Sequence, residues 1–206
     1  MVAVALVRHG QTEWNAGGLI QGSSDIPLNA AGRAQAAAAA ATLLAFGDGA
    51  PWRAVVTSPL RRAVQTGLVL ADILGVPVWA PVPGLRERHY GLGEGRSDAW
   101  AEAHYPAWDF PEAESPLEVL TRARAAVLQL ASWADAAVPA VTHIVAVTHG
   151  GVIQSLLRDV TGEPVPDIPN GGVRLIRVEE DRTTKLSGLV ETKAVRPDTT
   201  RYGDLH

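Results

Sequence analysis

The chain has 206 residues, a formal charge of −4 and no cysteine, and at about 150 residues per domain that length is read as one α/β-sized domain. The acidic balance excludes a broad nucleic-acid footprint, which needs a basic face. Lack of cysteine excludes disulfides, thiolate nucleophiles, iron–sulfur clusters and Cys-type zinc sites, leaving only His and carboxylates as metal ligands.

Val2 to Val7 reads as a buried strand, an uninterrupted apolar run that stops at Arg8, His9 and Gly10. It ends short of signal-peptide length, and no run approaches a membrane span, so a cytoplasmic protein without membrane contact is expected. A glycine-rich loop covers Gly17 to Pro27, and Asn29 caps an Ala-rich helix to about Ala45, closed by Gly47 and Gly49. Ala54 to Thr57 is a second strand. Ser58-Pro59 reads as a helix start with proline at the first helical position, running to about Leu74. Val76 to Ala80 is a third strand that Pro77 and Pro81 confine to an edge or interrupt.

The stretch from Arg86 to Pro116 has no clean period and carries Trp100, Tyr105, Trp108 and Phe110 among several carboxylates, which suggests a partly helical excursion over the body. Pro116 opens a long amphipathic helix to about Ala137. His143 to Thr148 is a fourth strand, Gly150 to Val160 a helix closing on Gly162, and Val173 to Val178 a fifth strand. Lys185 to Lys193 is a candidate sixth strand. The polar tail, residues 196–206, is expected to be mobile or on the surface. The alternation predicts a single-domain three-layer α/β/α sandwich over residues 1–195, with a mostly parallel central sheet and a lid-like excursion at about 86–116.

In open α/β sheets the ligand crevice lies beyond the carboxyl ends of the strands. Those places hold Arg8-His9-Gly10 after the first strand and Arg61-Arg62 after the second. Glu87 follows the third, and His149-Gly150-Gly151 the fourth. Two imidazoles, a carboxylate and several guanidiniums form a set suited to a phosphoryl group. Each has an ordinary explanation alone: a structural His, a solvated Arg pair, a surface ion-pair cluster around Glu87, a helix cap at His149. Two arginines in a first helical turn nevertheless oppose the helix dipole, a conflict that a bound anion relieves. Two glycines after His149 permit close backbone approach at a helix start.

The run Arg8-His9-Gly10-Gln11-Thr12-Glu13-Trp14-Asn15 resembles the signature of the histidine phosphatase superfamily, in its phosphoglycerate-mutase-like branch. The likeness extends through Gln21-Gly22, the Leu28 to Gly32 helix start, Thr57 to Ala63 with Thr66, Leu85-Arg86-Glu87 and Val147 to Gly151. What the resemblance implies is a cofactor-free, metal-free phosphohistidine mechanism. His9 would be the nucleophile, with Arg8, Arg62 and His149 gripping the phosphoryl oxygens and Glu87 acting as proton donor, then as base for water. Asn15, Gln21, Gly22 and Gly150 would contact the substrate. Arg62 is chosen over Arg61 because the family's arginine directly precedes the small residue matched by Ala63, and Arg61 points about 100° away on a helix. A neutral imidazole is required for attack, and surrounding cations favour that form.

The acceptor separates phosphatase (water) from mutase (a second hydroxyl). Arg88-His89-Tyr90-Gly91 look more like the mutase subgroup, and Arg88 and Tyr90 are placed to hold a substrate carboxylate. The mutases, however, carry a longer, more basic central insertion. Here the segment to Pro116 has Arg96 among Asp98, Glu102, Asp109, Glu112 and Glu114, which repels a bis-anionic substrate. The reading is therefore a phosphatase of the small broad-specificity type acting on a small phosphorylated metabolite. Two rivals stand beside it: a metal centre of His9, His149 and Glu87, and a non-catalytic phospho-ligand binding module. The family contains monomers and dimers, so a homodimer is compatible.

Overall fold

A computed structural model describes residues 1–46, 51–137 and 142–178. Its sheet has four strands in the order β2-β3-β1-β4: β1 (Val2–Arg8), β2 (Ala54–Thr57), β3 (His143–Thr148) and β4 (Val173–Val178). β1 pairs in parallel with β3, with Val7 opposite Val147, and antiparallel with β4, with Val7 opposite Val173. The expected α/β architecture with a mostly parallel sheet is found, with one antiparallel edge strand.

Strand alternation divides the core into two layers. Val2, Val4 and Leu6 of β1 pack with Ile144 and Ala146 under α5 (Pro116–Ala136) and α6 (Gly150–Thr161). Ala3, Ala5 and Val7 face the opposite way, onto α2 (Ala30–Ala45) and α3 (Arg61–Leu74). Burial on both faces explains why β1 reads as a continuous apolar run rather than an alternating one. α2 is capped by Asn29, whose side chain accepts from the Gly32 amide. α5 opens on a capping box between Ser115 and Glu118.

Two local expectations are corrected. α3 begins at Arg61, with Leu60 rather than Ser58 as N-cap. Asp25, from a distant loop, accepts from the Arg61 amide at 2.7 Å, and Ser58 is engaged elsewhere in the site. The stretch Val76 to Ala80 forms a single parallel bridge, Val78 to Val55, and no ladder, because Pro77 lacks an N–H to donate. The candidate strand at Lys185 to Lys193, the tail at 196–206 and the glycines at 47 and 49 lie outside the described residues.

A 3-10 turn at Pro83–Leu85 leads into the excursion, which contains α4 (Asp98–His104) and a 3-10 turn at Gly91–Gly93. Beneath it Phe110, Ile20 and Ala101 form a small separate core with Tyr90, Trp100, Tyr105 and Trp108. The aromatics therefore serve first to seat a long irregular segment on the body. A short helix, α1 (Glu13–Ala16), follows β1 and is capped by Thr12 and Asn15 reciprocally. Among the described residues no helix is long and apolar enough to cross a membrane.

Candidate active site

Parallel β1, β2 and β3 end at one rim, and the rim opens into a cleft of about 810 Å³ lined by Arg8, His9, Arg62, Glu87 and Gly150 together. Strand ends separated by tens of residues in the chain thus meet, because parallel pairing aligns their carboxyl ends. His149 stands behind His9, with ring centroids 5.1 Å apart and planes at 59°.

His9 is 3% exposed, and its Nδ1 lies 2.7 Å from the Gly10 carbonyl oxygen. A carbonyl only accepts, so Nδ1 carries the proton and Nε2 keeps its lone pair. Burial, then the Arg62 charge and to a smaller extent that of Arg8, hold the imidazole well below its ordinary value of 6.5, although the Gly10 bond opposes them. His9 is therefore a neutral base at physiological pH. Gly10 seats the loop: its amide donates to Thr66 Oγ1 at 3.0 Å, and a Cβ there would fall 2.1 Å from the Gly32 carbonyl oxygen.

The guanidiniums of Arg62 and Arg8, which both line the cleft, are held by backbone carbonyls. Arg62 is fully buried and donates from Nη1 to Ser24 O and from Nη2 to Gly22 O, both at 2.7 Å. Desolvation lowers its pKa to about 10, against the favourable charges of Glu87, Asp25 and Glu94, so it remains cationic. Arg8 donates from Nη1 to Ile168 O, and burial lowers its pKa too, opposed chiefly by Glu87. The Nε atoms of both arginines are buried without a hydrogen-bond partner. Arg61, by contrast, is exposed.

His149 is fully buried with Nε2 2.9 Å from Ser58 Oγ. Ser58 Oγ also accepts from the Leu60 amide, and its hydroxyl can either donate to or accept from Nε2. The other ring nitrogen, Nδ1, is buried without a hydrogen-bond partner, a group that a ligand would satisfy. Burial and then Arg62 hold this ring well below 6.5 as well.

Glu87 reaches the cleft from the opposite wall. Its Oε1 accepts from the Arg88 amide at 2.9 Å, and a Cβ on Gly151 would come within 2.9 Å of the same oxygen. Asn15 and Gln21 also line the cleft. The Asn15 carbonyl oxygen accepts from the Thr12 amide and from Asn170 Nδ2, and that of Gln21 accepts from Thr12 Oγ1. Each amide nitrogen is thereby left for the cleft. Gly22 lines it as well, with its carbonyl turned to Arg62.

Arg88 and Tyr90 reach the cleft wall, but Arg88 donates from Nε to Glu114 O and from Nη2 to Trp108 O and covers the Tyr90 ring at 5.0 Å. Most of its fork thus braces the excursion, which weakens the expected grip on a substrate carboxylate. The Tyr90 hydroxyl is pushed up by burial and by Glu87, so it stays protonated. The cleft is also lined by Asp98, Glu102 and Asp167 together with Arg158, and burial with the charges of Glu102 and Asp167 raises the Asp98 carboxyl. The three-ligand metal centre does not form, since among the described residues no three His, Asp or Glu side chains are grouped to hold an ion.

Sequence reasoning missed Asn170, whose Nδ2 donates to the His9 carbonyl, and Ile168, which accepts from Arg8. Both precede an antiparallel strand, so its amino end, not its carboxyl end, reaches the rim. It also missed Glu94, which anchors Ser23 and Ser24, and saw Ser58 only as a helix start and motif residue.

The profile of the histidine phosphatase superfamily (branch 1) matches residues 4–188. The chain is 34% identical over 162 residues to the uncharacterized phosphatase PhoE of Bacillus subtilis, covering 79% of each protein. It is 35% identical over 178 residues to the probable phosphoglycerate mutase GpmB of Yersinia enterocolitica, covering 80% of this chain and 77% of that one. A mycobacterial glucosyl-3-phosphoglycerate phosphatase solved with VO3 superposes with a TM-score of 0.79 at 27% identity, over 95% of this chain and all of that one.

Proposed function

Because this chain belongs to the histidine phosphatase superfamily (branch 1) and is a phosphatase of that family, we propose that it hydrolyses small phosphomonoesters through a phosphohistidine on His9 Nε2. The observation that carries this reading is the His9 Nδ1 to Gly10 bond inside a pocket of two guanidiniums. It presents one nitrogen lone pair to a phosphorus whose charge the arginines neutralise.

In the first step Nε2 of His9 attacks phosphorus and the bond to the ester oxygen breaks. Glu87, protonated, gives its proton to that oxygen and the alcohol leaves. In the second, Glu87 as carboxylate takes a proton from water, the hydroxyl oxygen bonds to phosphorus, and the N–P bond breaks to release phosphate and restore His9. Charge on the equatorial oxygens is met by Arg8, Arg62 and His149, so positioning and electrostatics supply most of the rate. No step calls for a metal. Asn15 and Gln21 hold the phosphoryl side, beside Gly150, which lines the cleft next to Arg8.

The segment 86–116 acts as a lid over the leaving alcohol. Its Asp98 and Glu102, with Asp167, outnumber Arg158 in the same lining and disfavour a second anionic group on the substrate. A neutral alcohol moiety fits this end better than a phosphoglycerate.

The test is turnover of a panel of phosphomonoesters and of 3-phosphoglycerate with metals chelated, comparing wild type with His9→Ala. Hydrolysis with little mutase activity is expected, a loss of at least about 10³-fold in the variant, and an acid-labile, base-stable phosphoenzyme in the wild type. Undiminished turnover by His9→Ala overturns the nucleophile. Chelator-sensitive turnover overturns the metal-free route, and stoichiometric binding without turnover leaves a binding module.

A further inference from the structure

The Glu87 loop is built from outside the cleft by one side chain, Arg122 of α5. Its Nε and Nη2 form a fork on the Glu114 carboxylate at 2.6 and 2.8 Å. Nη1 donates to Gly84 O at 2.9 Å and also to Arg86 O, and Nη2 donates to Glu87 O at 3.1 Å. An arginine has five N–H donors, and each one has an acceptor here. Three of those acceptors are the carbonyls of the loop that ends at Glu87. The fourth residue, Glu114, is desolvated, yet the Arg122 hydrogen bond and charge outweigh that and keep its carboxyl below the ordinary value.

The same loop has little other freedom. Gly84 lies so close to α5 that a Cβ would fall 2.7 Å from the Arg122 carbonyl oxygen. Leu85 is fully buried, and its carbonyl accepts from Thr148 Oγ1 at 2.7 Å. Beyond Leu85 the chain leaves the core, and Arg86 is exposed. From there to Glu87 the carbonyl bonds to Arg122 fix the backbone that carries the Glu87 side chain to the cleft.

We propose that Arg122 is a positioning residue for proton transfer: through its fork on Glu114 and its bonds to the Gly84, Arg86 and Glu87 carbonyls it holds the Glu87 carboxyl at the leaving-group oxygen. This rests on Glu87 being the proton donor, as read above. Lysine keeps the charge but has one donor atom, so it cannot hold Glu114 and three diverging carbonyls at once.

Leaving-group dependence of kcat/KM tests the idea. An alkyl phosphate needs its oxygen protonated as the P–O bond breaks, whereas 2,4-dinitrophenyl phosphate releases a stable phenolate and does not. General acid catalysis contributes about 10² to 10⁴-fold, and a displaced catalytic group forfeits about 10²-fold. For Arg122→Lys the expected loss is roughly 10- to 100-fold on the alkyl ester with under about 3-fold on the dinitrophenyl ester. Glu114→Gln, which weakens the fork without shortening a side chain, should show the same selectivity and serves if the lysine variant does not fold. Equal losses on both esters for the folded variants, or no loss, overturn the positioning role. Glu87→Gln separates the two readings: if it too loses equally on both esters, the assignment of Glu87 as acid fails, whereas selective loss there with none in the Arg122 and Glu114 variants sinks this inference alone.

Discussion

The rings of His9 and His149 stand 5.1 Å apart in a site that buries both, with Arg62 depressing the proton affinity of each. Two imidazoles so close to a buried guanidinium would repel strongly if charged. Neutral rings leave the His9 Nε2 lone pair available for the attack proposed above.

The pH dependence of stability follows with a definite sign. Both folded-state pKa values lie well below 6.5, so below about pH 6.5 the unfolded chain binds protons that the native state refuses. Stability should be unaffected by these rings above that pH and fall as the pH drops below it, flattening only at the depressed folded values. Urea midpoints for wild type and for His149→Asn across pH 8 to 4.5 check this. The variant should show a shallower acid decline, and parallel curves would remove the buried neutral pair as its cause. The His9-dependent acid limb of kcat/KM should likewise lie below pH 6.5.

Gly151→Ala should impair chemistry without harming the fold. The new methyl meets the flexible end of Glu87 at 2.9 Å, with the Tyr90 hydroxyl at 3.6 Å, and alanine in the first turn of α6 favours the helix. The thermal midpoint should be unchanged or higher, while kcat/KM for an alkyl phosphate falls about 10- to 100-fold, up to the scale of a misplaced catalytic group. A midpoint lowered by several degrees would show that the wall behind Glu87 is rigid.

Gly10→Ala and Gly32→Ala should behave in the opposite way. A Cβ on Gly10 would stand 2.1 Å from the Gly32 carbonyl oxygen, and one on Gly32 2.1 Å from that of Gln11. Both obstacles are backbone, so the β1 loop and the start of α2 must separate. The expected cost is about 3 kcal/mol each, the upper end for overpacking, read from denaturant midpoints. Near wild-type stability of either variant would mean the two segments slide freely.

Glu94→Ala should loosen the phosphate grip from a distance. Glu94 accepts from the amides and hydroxyls of Ser23 and Ser24, and the carbonyls of Gly22 and Ser24 hold Arg62. Without that anchor, KM and the inhibition constant of inorganic phosphate should rise together by roughly 10-fold, about the worth of one weakened charge-assisted contact. A change in kcat alone would point to some other route. Desolvation pushes the Glu94 carboxyl up, but its hydrogen bonds outweigh that and keep it below 4.5. The anchor therefore persists above that pH and is lost as the pH falls through the lower folded value.

Much of the rim was legible beforehand because strand ends are marked by abrupt polarity changes. The apolar run to Val7 stops at Arg8-His9, and that to Val147 stops at Thr148-His149. The family motif singled out Arg62 and helix phase turned Arg61 about 100° away from it; Arg62 is buried and Arg61 exposed. Ser58 was misread as a cap because a serine before proline carries that signal whatever its hydroxyl touches. Asn170 escaped because nothing in the β4 pattern encodes its direction, and an antiparallel strand delivers its first residues, not its last, to the rim.

Residue order alone was enough to give the kinds of groups available: two imidazoles, several guanidiniums and a carboxylate, with Arg8-His9 and His149 just past apolar runs. The state of those groups was set by the fold. The free nitrogen of His9, the partnerless Nδ1 of His149, the engagement of Arg88 by carbonyls and the hold of Arg122 on the Glu87 loop come from neighbours far away in the chain. Desolvation and hydrogen bonding depend on which atoms surround a group in space, and local sequence does not specify them.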